Sequence, residues 1–422
     1  MIRYVGLDLH KEFIQMCILD EKGNVLEEGR IGTQWDELTK WREKLGMEDQ
    51  VAFESCPFAW TVHDILEGRV GRIVISNAYK TRAIAEARIK TDKVDARILA
   101  ELLRADFLPS VWMPDEKTQR VRILVTHRHN LVKRIISLKN SIHARFHQRF
   151  LNCPHSDLFG RGGRSWIAAN REHLPEMEQR QLDSTLRILE CVEGERQGVE
   201  IELAEMAYHS EEARLLMTIP GIDYPVALAL LAAIGEINRF PTPEKLCAYL
   251  GLVPSVHQSG NHEFYGRITK HGNAAARWML VQSSHQLTRL CTPMRPFYER
   301  IRAKKGRQTA VVAVARKLAT LAWHLLTHKQ PYRYANARCI DKKFSRLQIQ
   351  VTGERRKSGP KPGEATQSRK ENTVHLSGRA TFPRNLEEVH AEWKLPRLEP
   401  PSPGEQQHIE KIGGQKRFLQ IR

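Results

Sequence analysis

The stretch RYVGLDLHKEFIQMCILDEKGNVLEEGRI, residues 3–31, decides how the fold is read. RYVGLDL (3–9), FIQMCILD (13–20) and VLEEGRI (25–31) are short runs of apolar and β-branched residues, the last two separated by the turn EKGN. They read as three consecutive strands joined by tight turns. A helical pattern from about Trp35 to Leu45 follows. Two further apolar runs, VAFES (51–55) and RIVISN (72–77), flank the helical segment PFAWTVHDILEG. A meander that passes into alternating strands and helices predicts an α/β sheet of mixed direction, not a doubly wound parallel one.

Carboxylates stand at telling places in this pattern. Asp8 lies near the end of the first strand and Glu54 ends VAFES, while TDKVDARILAELL (91–103) begins a helix with Asp92 and Asp95 in its first turn. Spacing of i, i+3 puts the last two on one side of the helix. Singly, each acid suits a turn or a helix N-terminus. If the first and fourth strands are neighbours, however, Asp8 and Glu54 emerge side by side, with the helix bearing Asp92 and Asp95 packed across them. Four such carboxylates repel and raise one another's pKa unless cations neutralise them. Hard divalent ions do so, and two Mg²⁺ ions about 4 Å apart can stabilise both the attacking and leaving oxygens of a phosphoryl displacement.

The rest of the chain supplies positive charge. Lys and Arg number 66 against 49 Asp and Glu, a net +17 over 422 residues, which implies an acidic partner, nucleic acid first. No uncharged apolar run approaches the ~18–20 residues of a membrane span, and Met1 leads straight into a strand, so a cytoplasmic location is expected. Seven scattered cysteines, never in a CxxC pair, read as reduced thiols. Lys117 to Phe150 contains neither Pro nor Gly and reads as a long basic helix, with Arg128, Lys133, Arg134 and Lys139 as candidate nucleic-acid contacts. A second long segment, roughly 179–210, predicts a helical hairpin or coiled-coil arm. LLMTIPGIDYPVALALLAAI (215–234) looks like a helix-hairpin-helix, whose turn amides can meet a phosphate. In 247–280 a loop rich in turn formers precedes a helix starting at GNAAARWML; Ser255 and Ser259 lie in this loop, and Lys270 and Arg277 are further candidate phosphate contacts. The expected division is 1–112, 113–210 and 211–335, with a basic, low-complexity, disordered tail over 336–422.

GLDLHK, FES followed by an aromatic, KTDKVDA, IPGI, GLVPSVHQSG and GRITKHGN, in this order from the first strand to about residue 330, resemble the transposases of the IS110 family. The resemblance implies an RNase H-like, RuvC-type DEDD domain, a coiled-coil arm and a mainly helical C-terminal domain with a catalytic serine. It assigns the catalytic, metal-holding acids to Asp8, Glu54, Asp92 and Asp95. The serine of P-x-x-x-x-S-G falls on Ser259, and the glycine after it favours this residue over Ser255. It also implies donor and target DNA as substrates and an element-encoded structured guide RNA; double-strand exchange requires at least two active sites, so a homodimer that pairs into a tetramer on DNA is expected, and the four acids call for two Mg²⁺ ions. The alternatives are a RuvC-like nuclease or junction resolvase, which needs the acids but not Ser259, and a non-catalytic nucleic-acid-binding protein.

Overall fold

The computed structural model describes residues 1–85, 91–260, 262–289, 294–353 and 385–400, with 403, 406, 407 and 410 beyond. The chain divides into two compact units, Met1–Asp115 and Glu116–Arg422.

In the first unit β1 (Arg3–Leu9), β2 (Phe13–Leu19) and β3 (Val25–Gly32) form the antiparallel meander. Both connections are tight. The His10 N–H donates to the Phe13 carbonyl at 3.1 Å, and the Asp20 carboxylate accepts the Lys22 and Asn24 N–H groups, each at 2.8 Å. Such short links allow only antiparallel pairing, whereas a helix in the connection permits parallel pairing. α1 (Trp35–Arg42) accordingly leads to β4 (Asp49–Glu54), parallel to β1, and α2 (Ala59–Leu66) leads to β5 (Arg72–Ser76), parallel to β4. The sheet order is β3-β2-β1-β4-β5, so the first and fourth strands are neighbours. Their register is held at one end by Asp49, whose buried carboxylate accepts Arg3 Nε and Nη2 at 2.6 Å each.

Alternation sends the two sides of each strand to different layers. Val5, Leu7, Val51 and Phe53 are fully buried on one face, with Leu38 and Trp41 of α1 and Val62 and Leu66 of α2. After α3 (Ala78–Ile84), α4 (Asp92–Arg104) covers the opposite face through Ala96, Ala100 and Leu103, which pack on Cys17, Leu19, Ala52 and Val74. Gly6 sets the depth of this packing. A Cβ on it would lie 2.0 Å from the Ala96 carbonyl oxygen and 2.6 Å from the Ala100 nitrogen.

The second unit opens with α5 (Glu116–His147), followed by α6 (Arg161–Asn170) and α7 (Glu176–His209). α5 and α7 run antiparallel, as the ion pairs show: Arg128 to Glu200 at 2.6 Å, Lys139 to Glu193 at 2.8 Å, and, just past the end of α5, Arg149 to Glu178. Ile142, Phe146, Ile167 and Leu182 close one end of this hairpin. At the other end Val125, Leu131, Val199 and Leu203 join a larger core, so the arm and the C-terminal helices share one apolar interior. That core comprises α8 (Glu211–Met217), α9 (Tyr224–Ile234), α10 (Pro243–Tyr249), α11 (Ala274–Arg289), α12 (Met294–Lys305) and α13 (Arg307–His328). α13 has the length and apolar content to cross a membrane, and it is the central core helix, with Val314, Ala315, Leu318 and Ala319 fully buried. The six cysteines among the described residues are all free.

The tail expected over 336–422 is corrected in part. α14 (Ala337–Thr352) buries Ile340, Phe344 and Leu347, and α15 (Leu386–Glu392) brings Val389 and Trp393 onto the same core, with Trp393 stacked on Phe344 at 5.2 Å. Net composition over the segment hid an i, i+4, i+7 apolar stripe that suffices to dock a helix. Residues 354–384 and most of those past 400 lie outside the described residues.

Candidate active site

Asp8 sits one position beyond the last β1–β4 pair, Leu7 with Phe53, and Glu54 holds the equivalent place on β4. Both follow residues that face α4, Gly6 two positions before Asp8 and Ala52 two positions before Glu54. Period-two alternation therefore turns both carboxylates to the α4 side, at the C-terminal ends of adjacent parallel strands. α4 begins at that end. Its N-cap Thr91 accepts the Val94 N–H through the side chain, which fixes Asp92 and Asp95 in the first turn.

Asp8, Asp92 and His10 bring ligand atoms within 4.8 Å of one another. His10 Nε2 lies 2.9 Å from an Asp8 carboxylate oxygen and 3.4 Å from one of Asp92. The imidazole is steadied by Phe13, ring centroids 5.1 Å apart. Burial raises the Asp8 pKa above the ordinary carboxylate range; His10 opposes the shift, and the charges of Asp95 and Asp92 add to it. Asp95 is thus close enough to be felt. A carboxylate destabilised by burial and like charges is one that a cation would relieve, so oxygen donors of this kind fit a hard divalent ion. His10 did not emerge from the sequence as a candidate, although it stands two residues after Asp8 in GLDLHK and brings a ring nitrogen to two of the acids.

Residues 254–259 and 262–268, read from sequence as part of a loop, form a two-stranded hairpin of β6 (Pro254–Ser259) and β7 (His262–Ile268). Turn formers masked an alternating pattern. The base of the hairpin is closed by the Thr269 N–H to the Val253 carbonyl at 2.9 Å. There Gly251 and Gly272, both at positive φ, let backbone meet backbone: a Cβ on Gly272 would lie 2.0 Å from the Tyr249 carbonyl oxygen. Ser259 is exposed at the hairpin tip, directly opposite His262; His257 precedes it by two and pairs with Phe264. One face of the hairpin therefore carries Ser259, His257, His262 and Phe264, cross-strand partners having Cβ atoms about 4.5–5.5 Å apart. Ser255 differs. It lies at a register shift, with its Oγ against Gly266, where a Cβ would come within 2.4 Å of it.

The basic candidates divide by their partners. Arg128 and Lys139 are engaged by Glu200 and Glu193 of α7, and Lys139 also lies over the Phe159 ring. Lys133 and Arg134 are exposed on α5. Arg277 donates to the Leu250 carbonyl at 3.1 Å, Asn273 caps α11 by accepting the Ala276 N–H at 2.9 Å, and Lys270 is exposed at φ 57°. In the α8–α9 turn the N–H groups of Thr218, Ile219 and Ile222 are already bonded to Leu215, Leu216 and Ile219 carbonyls, and their side chains lie in the core. This turn is an architectural element first.

A family model for DEDD transposases of IS110 elements, described as a transposase, matches residues 5–151, and the model of the IS116/IS110/IS902 transposase family matches residues 213–299. Similar curated proteins include the transposase for insertion sequence element IS1111A of Coxiella burnetii, 28% identical over 347 residues, covering 79% of this chain and 92% of the relative. The transposase for insertion sequence element IS1328 of Yersinia enterocolitica is 23% identical over 340 residues, covering 77% and 97%.

Proposed function

The chain belongs to the IS110 family of insertion-sequence transposases, whose substrates are DNA, and on that premise we propose that it recombines DNA by metal-dependent phosphoryl transfer with Ser259 as nucleophile. The observation that carries the reading is the convergence of Asp8, Asp92 and His10 where two parallel strands end beneath the start of α4. The strand order, antiparallel from β3 to β1 and then parallel through β5, supports an RNase H-like, RuvC-type fold for the first unit.

Asp8, Glu54, Asp92 and Asp95 would hold the divalent ions, Mg²⁺ in the simplest case and two in number, with the His10 nitrogen within reach of the same space. When bound, such ions supply charge stabilisation to the non-bridging and leaving oxygens of a phosphodiester. Ser259 Oγ attacks the DNA phosphorus, a phosphoserine ester forms, and the displaced deoxyribose oxygen departs and takes up a proton. The serine needs a proton acceptor, since its hydroxyl is a weak nucleophile unaided. His262 across the hairpin and His257 on the same face supply imidazoles for that role. Phe264 offers an exposed apolar surface beside them for a sugar or base. Lys133, Arg134 and Lys270 serve as phosphate contacts, and Arg128, Lys139 and Arg277 add their charge from tethered positions.

An element-encoded guide RNA, which rests on the family's pattern of motifs, and a dimer pairing into a tetramer, which rests on the two active sites that double-strand exchange needs, complete the reading. Recombination of donor and target DNA in the presence of that RNA tests it, with Ser259→Ala and Ser255→Ala compared and the protein–DNA adduct probed. Loss of adduct and recombination in Ser259→Ala alone is expected. Undiminished metal-dependent cleavage by that variant would assign the attack to water and favour the resolvase alternative.

A further inference from the structure

One buried ionic group is used by neither constellation. Lys343, on α14, directs its Nζ into the turn between α8 and α9, donating to the carbonyls of Met217 at 2.7 Å, Ile219 at 2.7 Å and Ile222 at 2.8 Å. All three of these residues are fully buried. The Met217 carbonyl ends a helix and lacks an intrahelical partner there, the usual state of the last carbonyls of a helix. Around it the Thr218, Ile219 and Ile222 N–H groups bond within the segment, and Thr218 Oγ1 accepts the Tyr332 N–H at 2.8 Å. Three carbonyl oxygens thus converge on one point inside the core, with a positive centre between them. Backbone carbonyls so arranged can replace the hydration shell of a monovalent cation.

We propose that the Met217–Ile222 turn is a monovalent-cation site and that the Lys343 ammonium is its built-in cation. An ammonium offers three N–H donors, and here each meets one carbonyl at 2.7–2.8 Å, so a single cationic centre satisfies all three oxygens. Burial pulls the Lys343 pKa down to about 8, the Asp223 carboxylate opposes that shift, and the three carbonyls favour the charged form. Supplying the ion from α14 ties the α8–α9 turn to a helix more than a hundred residues later and removes any need for free salt. Lys343 is in this sense a positioning residue. Cutting its side chain back should leave a vacant shell that selects potassium over sodium, because ammonium and potassium are close in size.

Thermal unfolding of the full chain tests this in tetramethylammonium, sodium and potassium chloride at equal ionic strength. Wild type should melt alike in all three. Lys343→Ala should melt lower by about 5 °C or more in tetramethylammonium and recover saturably in potassium, less in sodium. Lys343→Met fills the space without charge and leaves the carbonyls unpaired, so it should melt lower with no response to the cation. A Lys343→Ala protein whose loss is the same in every salt overturns the proposal. Should that variant not fold in tetramethylammonium, refolding it in potassium chloride decides: folding rescued by potassium and less by sodium supports the proposal, and failure to fold in every salt overturns it. The readout is stability and not DNA chemistry, so failure here leaves the transposase reading untouched.

Discussion

Gly6→Ala is the substitution that most sharply couples the fold to the proposed metal site. The added methyl would lie 2.0 Å from the Ala96 carbonyl oxygen and 2.6 Å from the Ala100 nitrogen, where ordinary contact begins near 3.4 Å. Both obstacles are backbone, so no side chain can swing aside; α4 must retreat by about 1 Å or the strand must bow, since close-packed interiors transmit such strain. Overpacking of this kind costs about 1–3 kcal/mol. For a unit of this size that is a fall in melting temperature of about 4–8 °C per kcal/mol. The chemical consequence should be larger. Asp92 rides on the first turn of α4, and its carboxylate lies 3.4 Å from the imidazole that meets Asp8 at 2.9 Å. Metal coordination tolerates ligand displacements of only about 0.2 Å. Calorimetric titration with Mn²⁺ should therefore show binding weakened by at least about tenfold, the scale seen when a site's supporting contacts are removed. A Gly6→Ala protein that binds the ion and melts as the wild type does would refute the packing of α4 on β1 and the argument built on it.

Three further outcomes are expected. The Asp8 carboxyl, its pKa raised mainly by burial, stabilises the metal-free protein below the ordinary carboxylate range and loses that contribution as pH rises through the raised value; a bound divalent ion reverses the penalty. The gap in melting temperature between metal-loaded and metal-free protein should consequently widen with rising pH across the acid range, and a gap independent of pH would exclude Asp8 as a ligand. Trp393→Ala should cost about 3–5 kcal/mol in denaturant unfolding, because this buried ring stacks on Phe344; wild-type stability would mean that the segment after 384 is not docked. Gly194 and Gly198 lie exposed within α7 with nothing near an added Cβ, so each Gly→Ala change should stabilise the chain by about 0.5–1 kcal/mol in the same assay.

Much of this was legible in residues 3–104 because each signal there is local. Alternation and tight turns define β1 to β3, and acids at strand ends stand out in a basic chain. What could not be read depended on long-range packing. Nothing in GLDLHK says that Gly6 admits a helix from ninety residues later, or that His10 folds back onto Asp8 and Asp92. The Ser259 hairpin escaped because Pro254, Gly260 and Gly266 dominate its composition, while its alternation serves two exposed faces and not a core. α14 escaped because its apolar stripe is short and flanked by charge, and the pairing of Arg128 and Lys139 with α7 is a matter of helix register that a count of basic residues does not carry.

The most direct test of the central claim, that the acids at the ends of β1 and β4 and the start of α4 hold the ions for DNA cleavage, is a cleavage assay on element-end DNA with the proposed guide RNA. Wild type, Asp8→Asn and Asp92→Asn are compared across a Mg²⁺ and Mn²⁺ titration, with calorimetric ion binding read on the same preparations. The account predicts metal-dependent cleavage by the wild type, and loss of both cleavage and ion binding in each variant while RNA binding persists. Cleavage retained at wild-type rate by Asp8→Asn would contradict it.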